Sequence, residues 1–428
     1  MNYDESLEYL ESLNKRGIHP GLEGIKGLLK ALNDPQKARQ YIHVVGTNGK
    51  GSTALYISRI LRAAGKKVGV YASPAVFDVR EIITVNGRTV SKADYAGLVT
   101  VVSEANTMGC TRFEVETAMA FLYFKEKECD YVVLEAGMGG LLDATNVIED
   151  TVACVFTAIG LDHTSYLGDT VFKIAKNKAG IIKPGSLVVT TKQEPEALEA
   201  IRKKAAECNC TFIESDYTEA KDIKYKLSGT KFSYKNLKNL ETSLLGTFQV
   251  QNAALAVDVA KALSFDDKYI RKGILEANES GRAEVVLKKP LVILDGAHNE
   301  PASIRLRETL KTYFTNKKFI YIMGMLKDKD VETVVKNTVD LASCIFTVAT
   351  PNKARTMSSF ELAEVIKPYN PMVSSLDSIE EAVEMASMVA STDKDAVIVV
   401  FGSLSHLGGV KKAVQNLKNI KADSHGVI

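Results

Sequence analysis

The chain is predicted to be an α/β protein built on parallel sheets, and three features carry that prediction. Short apolar, β-branched runs alternate with longer amphipathic stretches, the pattern of strands joined by covering helices. A glycine-rich turn lies between the first such run and the helical pattern after it. A second series of the same kind begins near residue 291, which in a chain of 428 residues points to more than one domain at roughly 150 residues each.

Each element follows in order. Strands are expected at 41–45, 68–71, 131–134, 153–156 and 187–190, where β-branched and aromatic residues cluster between turn formers. Helices are expected at 51–64, 113–127 and 195–206, which carry apolar residues at helical spacing. The lysine-rich segment 211–243, with patches such as Lys231-Phe232-Ser233-Tyr234, reads as a small β excursion. Helical pattern returns at 248–263 and 268–277. The second series has strands at 291–294, 319–323, 344–348 and 396–401. Between the series, the segment 281–290 with its Lys288-Lys289-Pro290 punctuation is the best boundary, giving expected domains 1–287 and 288–428. The polar tail beyond about residue 420 is expected to fray.

Composition narrows the function classes. Apolar residues make up 46% and charged residues 25%, ordinary for a soluble globular protein. With 54 basic and 52 acidic residues the net charge is +2, which lacks the basic excess of a non-specific nucleic-acid binder. No apolar run approaches the ~18–20 residues that span a bilayer, and the acidic start Met1-Asn2-Tyr3-Asp4-Glu5 has no secretory h-region. The six cysteines are scattered without a CxxC pair, so reduced thiols in a cytoplasmic protein are expected.

The strongest local signal is Gly46-Thr47-Asn48-Gly49-Lys50-Gly51-Ser52, which follows an apolar strand and opens a helix. Glycines let backbone N–H groups face phosphates, Lys50 adds a point charge, and a helix N-terminus favours an anion. The spacing departs from the usual P-loop: Val44 stands at the first glycine position, and Gly51 separates Lys50 from Ser52. Glu135 ends the apolar run 131–134 at the crevice where such sheets bind ligands. Beside a phosphate loop it is a natural Mg²⁺ ligand, the plain alternative being a carboxylate that caps loop amides. His163, in Leu161-Asp162-His163-Thr164, is a metal-ligand or structural histidine. His43, inside the first strand, reads as a hydrogen-bonded core residue. Asp295-Gly296-Ala297-His298-Asn299 again puts a carboxylate, a glycine turn and an imidazole at a strand end.

Taken together these segments resemble the folylpolyglutamate synthase/dihydrofolate synthase branch of the Mur ligase family. The resemblance runs through Gly46–Ser52, Ser73-Pro74, Phe113-Glu114 with Thr117-Ala118-Met119-Ala120-Phe121, Glu135 to Gly140, and Asp143-Ala144-Thr145-Asn146. It continues with Leu161-Asp162-His163-Thr164, Lys178-Ala179-Gly180-Ile181, Phe248-Gln249 with Asn252, Gly281-Arg282, Asp295 to Asn299, Gly324 to Asp330, and Gly402-Ser403-Leu404. No single match is strong, but their order and spacing are specific.

The resemblance implies a P-loop, Mur-ligase-like N-terminal ATP-binding domain and a smaller Rossmann-like C-terminal domain, with the active site between them. By that likeness Thr47, Asn48, Gly49, Lys50, Gly51 and Ser52 hold the phosphates of ATP. Asn252, Arg282 and Asp295 contact the nucleotide, and Ser73, Glu135 and His163 hold Mg²⁺. Lys178 matches a lysine the family carries as a carbamate. Lys50, Lys178 and His163 are then the catalytic candidates, with His298 and Ser403 near the incoming glutamate.

The implied partners are a folate, L-glutamate and ATP, for a monomer that binds neither nucleic acid nor membrane. The implied reaction adds glutamate to a folate through an acyl phosphate, with the dihydropteroate-to-dihydrofolate step as a further activity. The chain departs from the family at Ala75, Ile82, Leu141 and Glu300, positions that bear on the folate pocket. Two other readings are a ligase acting on a peptidoglycan precursor and a non-catalytic folate- or nucleotide-binding protein.

Overall fold

The computed structural model describes the chain apart from Ile18, Ala38 and residues 279–282, 352–353 and 425–428. The backbone divides into two units. One comprises Met1–Ile223, Lys231–Thr242 and Gln249–Ala277, and the other Lys224–Thr230, Ser243–Phe248 and Asn278–Ile428.

The strands of the first unit's large sheet are β1 (Gln40–Val45), β2 (Val68–Tyr71), β3 (Ile83–Val85), β4 (Arg88–Thr89), β5 (Tyr131–Glu135), β6 (Ala153–Phe156), β7 (Leu187–Thr191) and β8 (Thr211–Ser215). They lie in the order β4-β3-β2-β5-β1-β6-β7-β8. Pairing is parallel from β2 across to β8, while β3 and β4 join as an antiparallel hairpin. The central strands are buried on both faces, which is why they read as continuous apolar runs instead of alternating ones. One face is packed by the cores around Leu28, Tyr71, Val115 and Phe121 and around Phe156, Ile174 and Ile201, the other by the helices Lys50–Ala63 and Gln249–Ala262. Side chains of that size each contribute about 1.5–3 kcal/mol on burial.

The expected β excursion is real but divided. Its first part joins the large sheet as β8, and β9 (Lys221–Lys226), β10 (Gly229–Tyr234) and β11 (Leu237–Thr242) make a separate sheet in the order β11-β10-β9.

The second unit's sheet contains β12 (Glu284–Lys288), β13 (Leu291–Leu294), β14 (Lys318–Met323), β15 (Ala342–Thr347), β16 (Val373–Ser375) and β17 (Ala396–Phe401), in the order β12-β13-β17-β14-β15-β16. All neighbours are parallel except β12 with β13. Its core includes Tyr321 and Phe401, edge to face at 5.0 Å. The segment read as a boundary thus contains β12, an edge strand whose flanking Gly281 and Pro290 masked it. The last helix continues to Ser424, where fraying from about residue 420 was expected. All six cysteines are free, and among the described residues no helix is long and apolar enough to cross a membrane.

Candidate active site

The parallel register collects the first unit's chemistry at one end of the sheet. β1 runs buried into the glycine loop, and its Val44 pairs with Glu135, the last residue of β5. β2, beside β5, leads within two residues to Ser73, and β6, on the other side of β1, leads to His163. Four carboxyl ends therefore present the loop, Glu135, Ser73 and His163 together, at the crevice ligands use in such sheets.

The loop is held from both sides. Gly46 has φ +156°, and a Cβ there would collide with the hydroxyl of Thr157. Gly49 caps the helix Lys50–Ala63 in the left-handed region, φ +89°, and a Cβ would strike the Asn252 side-chain oxygen. The Thr47 and Asn48 amides donate to the Ala158 carbonyl at 2.8 and 3.2 Å. The Thr47 hydroxyl donates to Gly160 O at 2.9 Å and accepts from Gly160 N at 3.0 Å. Lys50 Nζ folds back onto the carbonyls of Gly46 and Thr47, both at 3.2 Å. Ser52 is buried and accepts from Gln249 Nε2 at 3.2 Å, and Gln249 Oε1 accepts from Asn252 Nδ2 at 3.2 Å.

Lys178 ends the helix Val171–Lys178 and is buried, its Nζ donating to Gly46 O at 2.8 Å. Burial first, then repulsion from Lys50, push its pKa down to about 7, with Asp162 and Asp143 pulling the other way. An ammonium that has shed its water is costly unless a carboxylate neutralises it, and the hydrogen bond from Lys178 goes to a carbonyl. A large fraction of Lys178 is therefore a neutral amine near neutral pH.

The sequence pattern assigns Asp143 no task. It is buried, accepting from the Met138 amide at 2.8 Å, the Thr145 amide at 3.0 Å and the Thr145 hydroxyl. Burial is the main influence on its carboxyl and raises the pKa, with those bonds opposing. Because Thr145 gives its proton to Asp143, it accepts from His43 Nε2 at 2.8 Å, which assigns the imidazole proton to Nε2. Burial holds the pKa of His43 down at about 3. His43 is thus the core residue it was expected to be. Two amides also went unread: Gln193 spans Thr157 O (2.8 Å) and Ile159 N (3.0 Å), and Asn177 Oδ1 accepts from Gly140 N at 3.1 Å.

His163 caps the short helix Thr164–Leu167 at φ +50°. Its ring is partly exposed, with Nε2 3.9 Å from Asp162 Oδ2. Glu135 is 4% exposed. Among the described residues no three His, Cys, Asp or Glu side chains group into a metal cage. One carboxylate, one imidazole and the Ser73 hydroxyl instead suit an ion such as magnesium, which keeps waters and takes phosphate oxygens.

In the second unit, Asp295 follows β13 and is buried. Its two oxygens accept from the amides of Ala283 (2.9 Å) and Ala297 (2.8 Å). His298 Nδ1 bonds Gly296 O at 2.7 Å, and Asn299 caps the helix Glu300–Tyr313. The loop after β17 joins them, Gly402 N donating to Ala297 O at 2.9 Å. Ser403 is buried and hydrogen-bonds the Ser405 hydroxyl at 2.8 Å. His406, one residue further, is fully buried, and neither ring nitrogen has a hydrogen-bond partner. Burial lowers its pKa to about 4, with the neighbouring Ser403 backbone opposing. Arg282 lies outside the described residues.

A glycine loop at the carboxyl ends of one parallel sheet, with a second α/β unit bearing an Asp-Gly-Ala-His turn, defines the class. The chain belongs to the Mur ligase family: the Mur ligase middle domain matches residues 44–260 and the Mur ligase glutamate ligase domain matches residues 281–404. Its relatives fix the branch as folylpolyglutamate synthase/dihydrofolate synthase. The Bacillus subtilis (strain 168) dihydrofolate synthase/folylpolyglutamate synthase is 34% identical over 96% of this chain and 99% of that protein. The Escherichia coli (strain K12) protein of that name is 32% identical, covering 94% and 93%. Among solved structures, Mycobacterium tuberculosis folylpolyglutamate synthase complexed with ADP and AMPPCP superposes with a TM-score of 0.88 at 26% identity, covering 97% of this chain and 99% of that one. Escherichia coli FolC in complex with DHPP and ADP gives 0.86 at 30%, covering 98% and 99%.

Proposed function

We propose that the chain catalyses ATP-dependent addition of L-glutamate to the carboxyl end of a folate. The observation that carries this is the glycine loop, wedged against Thr157 and Asn252 with Lys50 and Lys178 turned onto it. The structures of relatives complexed with ADP, with AMPPCP and with DHPP support it.

In this reading residues 1–287 bind ATP and residues 288–428 form the glutamate-ligase domain. A carboxylate is a poor acyl donor, so γ-phosphoryl transfer first converts the folate carboxylate to an acyl phosphate. Phosphoryl transfer calls for positioning and charge neutralisation, which the loop amides from Gly49 to Ser52 and the Lys50 ammonium supply, the Thr47 and Asn48 amides being held by Ala158. The glutamate amine then attacks the activated carbonyl and phosphate leaves, so no enzyme nucleophile is needed. Ser73, Glu135 and His163 would hold Mg²⁺, which when bound offsets phosphate charge. Asn252, Arg282 and Asp295 are assigned to the nucleotide, and His298 and Ser403 to glutamate. Lys178, about half neutral near pH 7, has a ready supply of the form that adds carbon dioxide to give the carbamate the family resemblance implies.

The test is ADP release with Mg·ATP and glutamate, comparing dihydropteroate, tetrahydrofolate and no acceptor, with mass spectrometry of the pterin product. Turnover with tetrahydrofolate alone means a tail-extending synthase, and turnover with both means a bifunctional enzyme. Silence with both, from folded protein that binds ATP, refutes the proposal.

A further inference from the structure

The opposite end of the first unit's sheet carries a second concentration of charge. Arg62 from the last turn of the helix Lys50–Ala63, Arg88 from β4, and Lys127 just past the helix Arg112–Glu126 line one cavity of about 540 Å³. Asn86, Thr89 and Ser91 add neutral polar groups to its wall. Arg59, three residues before Arg62, presses on the same guanidinium. Burial and then Arg59 lower the pKa of Arg62, with Glu276 opposing and Arg88 adding to the repulsion. The cations come from three separate elements, so this is not the solvated face of a single helix.

The cavity's carboxylate is already engaged, since Asp94 accepts from the Tyr123 hydroxyl at 3.3 Å and pairs with Lys127 at 3.5 Å. Arg62 Nη1 is buried without a hydrogen-bond partner, beneath the Asn86-Gly87 turn that packs directly on it. Among the described residues neither Arg62 nor Arg88 has an ion pair with a carboxylate. Convergent guanidinium groups repel one another and lose water together, and a multivalent anion relieves both costs through forked hydrogen bonds. The volume lies within the ~300–1,000 Å³ typical of small-ligand sites.

We propose that this cavity is a second anion site, taking a small multivalent oxyanion with clustered phosphate or carboxylate groups. It is separate from the nucleotide loop. Lys50 and Arg62 are twelve residues apart on one helix, about 18 Å at 1.5 Å per residue. The Asn86 amide bonds Val68 O, which fixes the hairpin at the amino end of β2. The inference stands whether or not the ligase reading does.

The experiment is calorimetric titration of the full chain, pre-saturated with a non-hydrolysable ATP analogue so that the loop is filled. Pyrophosphate is the probe in one arm and tri-γ-glutamate in the other. Saturable binding of either supports the site, and the tighter arm says whether phosphate or polycarboxylate is the source. Arg88→Gln, at an exposed position, and Arg62→Lys, which keeps the charge but loses the fork, should each weaken binding at least fivefold with an unchanged melting temperature. Lys50→Ala should leave it unaltered. No saturable heat in either arm, equal affinity in both arginine variants, or loss of binding in Lys50→Ala would overturn the proposal.

Discussion

Lys178→Met separates the cost of a buried amine from its use. The side chain is buried and its pKa falls from 10.5 to about 7, chiefly through lost hydration. At ~1.4 kcal/mol per tenfold change in protonation, a depression of that size means the folded state holds the ammonium at a cost of roughly 4–5 kcal/mol. The sign follows from proton counts. Between about pH 7 and 10.5 the unfolded chain keeps a proton that the folded chain has shed, so this group makes stability rise with pH. Above 10.5 the penalty is absent, and below about 7 it is fully present and constant. Methionine carries no charge, so the variant lacks this slope. It also loses the 2.8 Å bond to Gly46 O, about 1 kcal/mol. The variant is therefore expected to be more stable than the parent by a few kcal/mol at pH 6 and slightly less stable at pH 10, the two curves crossing between. Urea melts at four pH values in carbonate-free buffer would measure this. Parallel curves across that range would refute the reasoning, because they would mean that Lys178 titrates normally. Added bicarbonate should stabilise the parent but not the variant, and carbon-13 bicarbonate should give a carbamate resonance in the parent alone.

Three further outcomes are expected. Lys50→Ala should cut ADP release by at least a hundredfold while leaving the melting temperature within a few degrees, and near-normal turnover would remove the phosphate-loop assignment. Gly46→Ala should cost roughly 2–3 kcal/mol, since an L side chain at φ +156° meets Thr157. ATP affinity should fall with it, as read by denaturant melts and nucleotide titration. His406→Leu should raise stability by about 1–2 kcal/mol at pH 7, because the imidazole is buried with neither nitrogen bonded. The parent should also lose stability as pH falls from 6.5 toward about 4, where the unfolded chain protonates before the folded one. Leucine should remove that acid loss, and identical acid melts would sink the argument.

The strands of both sheets were legible because parallel strands buried on two faces must be apolar throughout, and their lengths separate them from helices. Much of what was missed lies at sheet edges. β12 has a single neighbour and sits between Gly281 and Pro290, and β16 is a three-residue edge of Val373, Ser374 and Ser375. Neither composition announces a strand. The positions of the loop and Glu135 were legible for a related reason, since a polar residue ending an apolar run falls at the carboxyl end of its strand. The side chains that support the loop were not. Gln249 reaches Ser52 from 197 residues away, and Lys178 reaches Gly46 from 132. No local pattern encodes such pairings. The task of Asp143 was hidden because it turns inward, onto the backbone amides of its own loop.

The wedging of Gly46 against Thr157 and of Gly49 against Asn252 bears on how fast a nucleotide can be captured. A loop whose amides already donate to Ala158 gives up little freedom when phosphate arrives, so the entropy of ordering it is spent in folding and not in binding. Capture of ATP by such a loop should run near the rate of encounter, with discrimination between nucleotides expressed in how long each stays. Substitutions that loosen Thr157 or Asn252 should then slow capture, even though both side chains stand behind the loop.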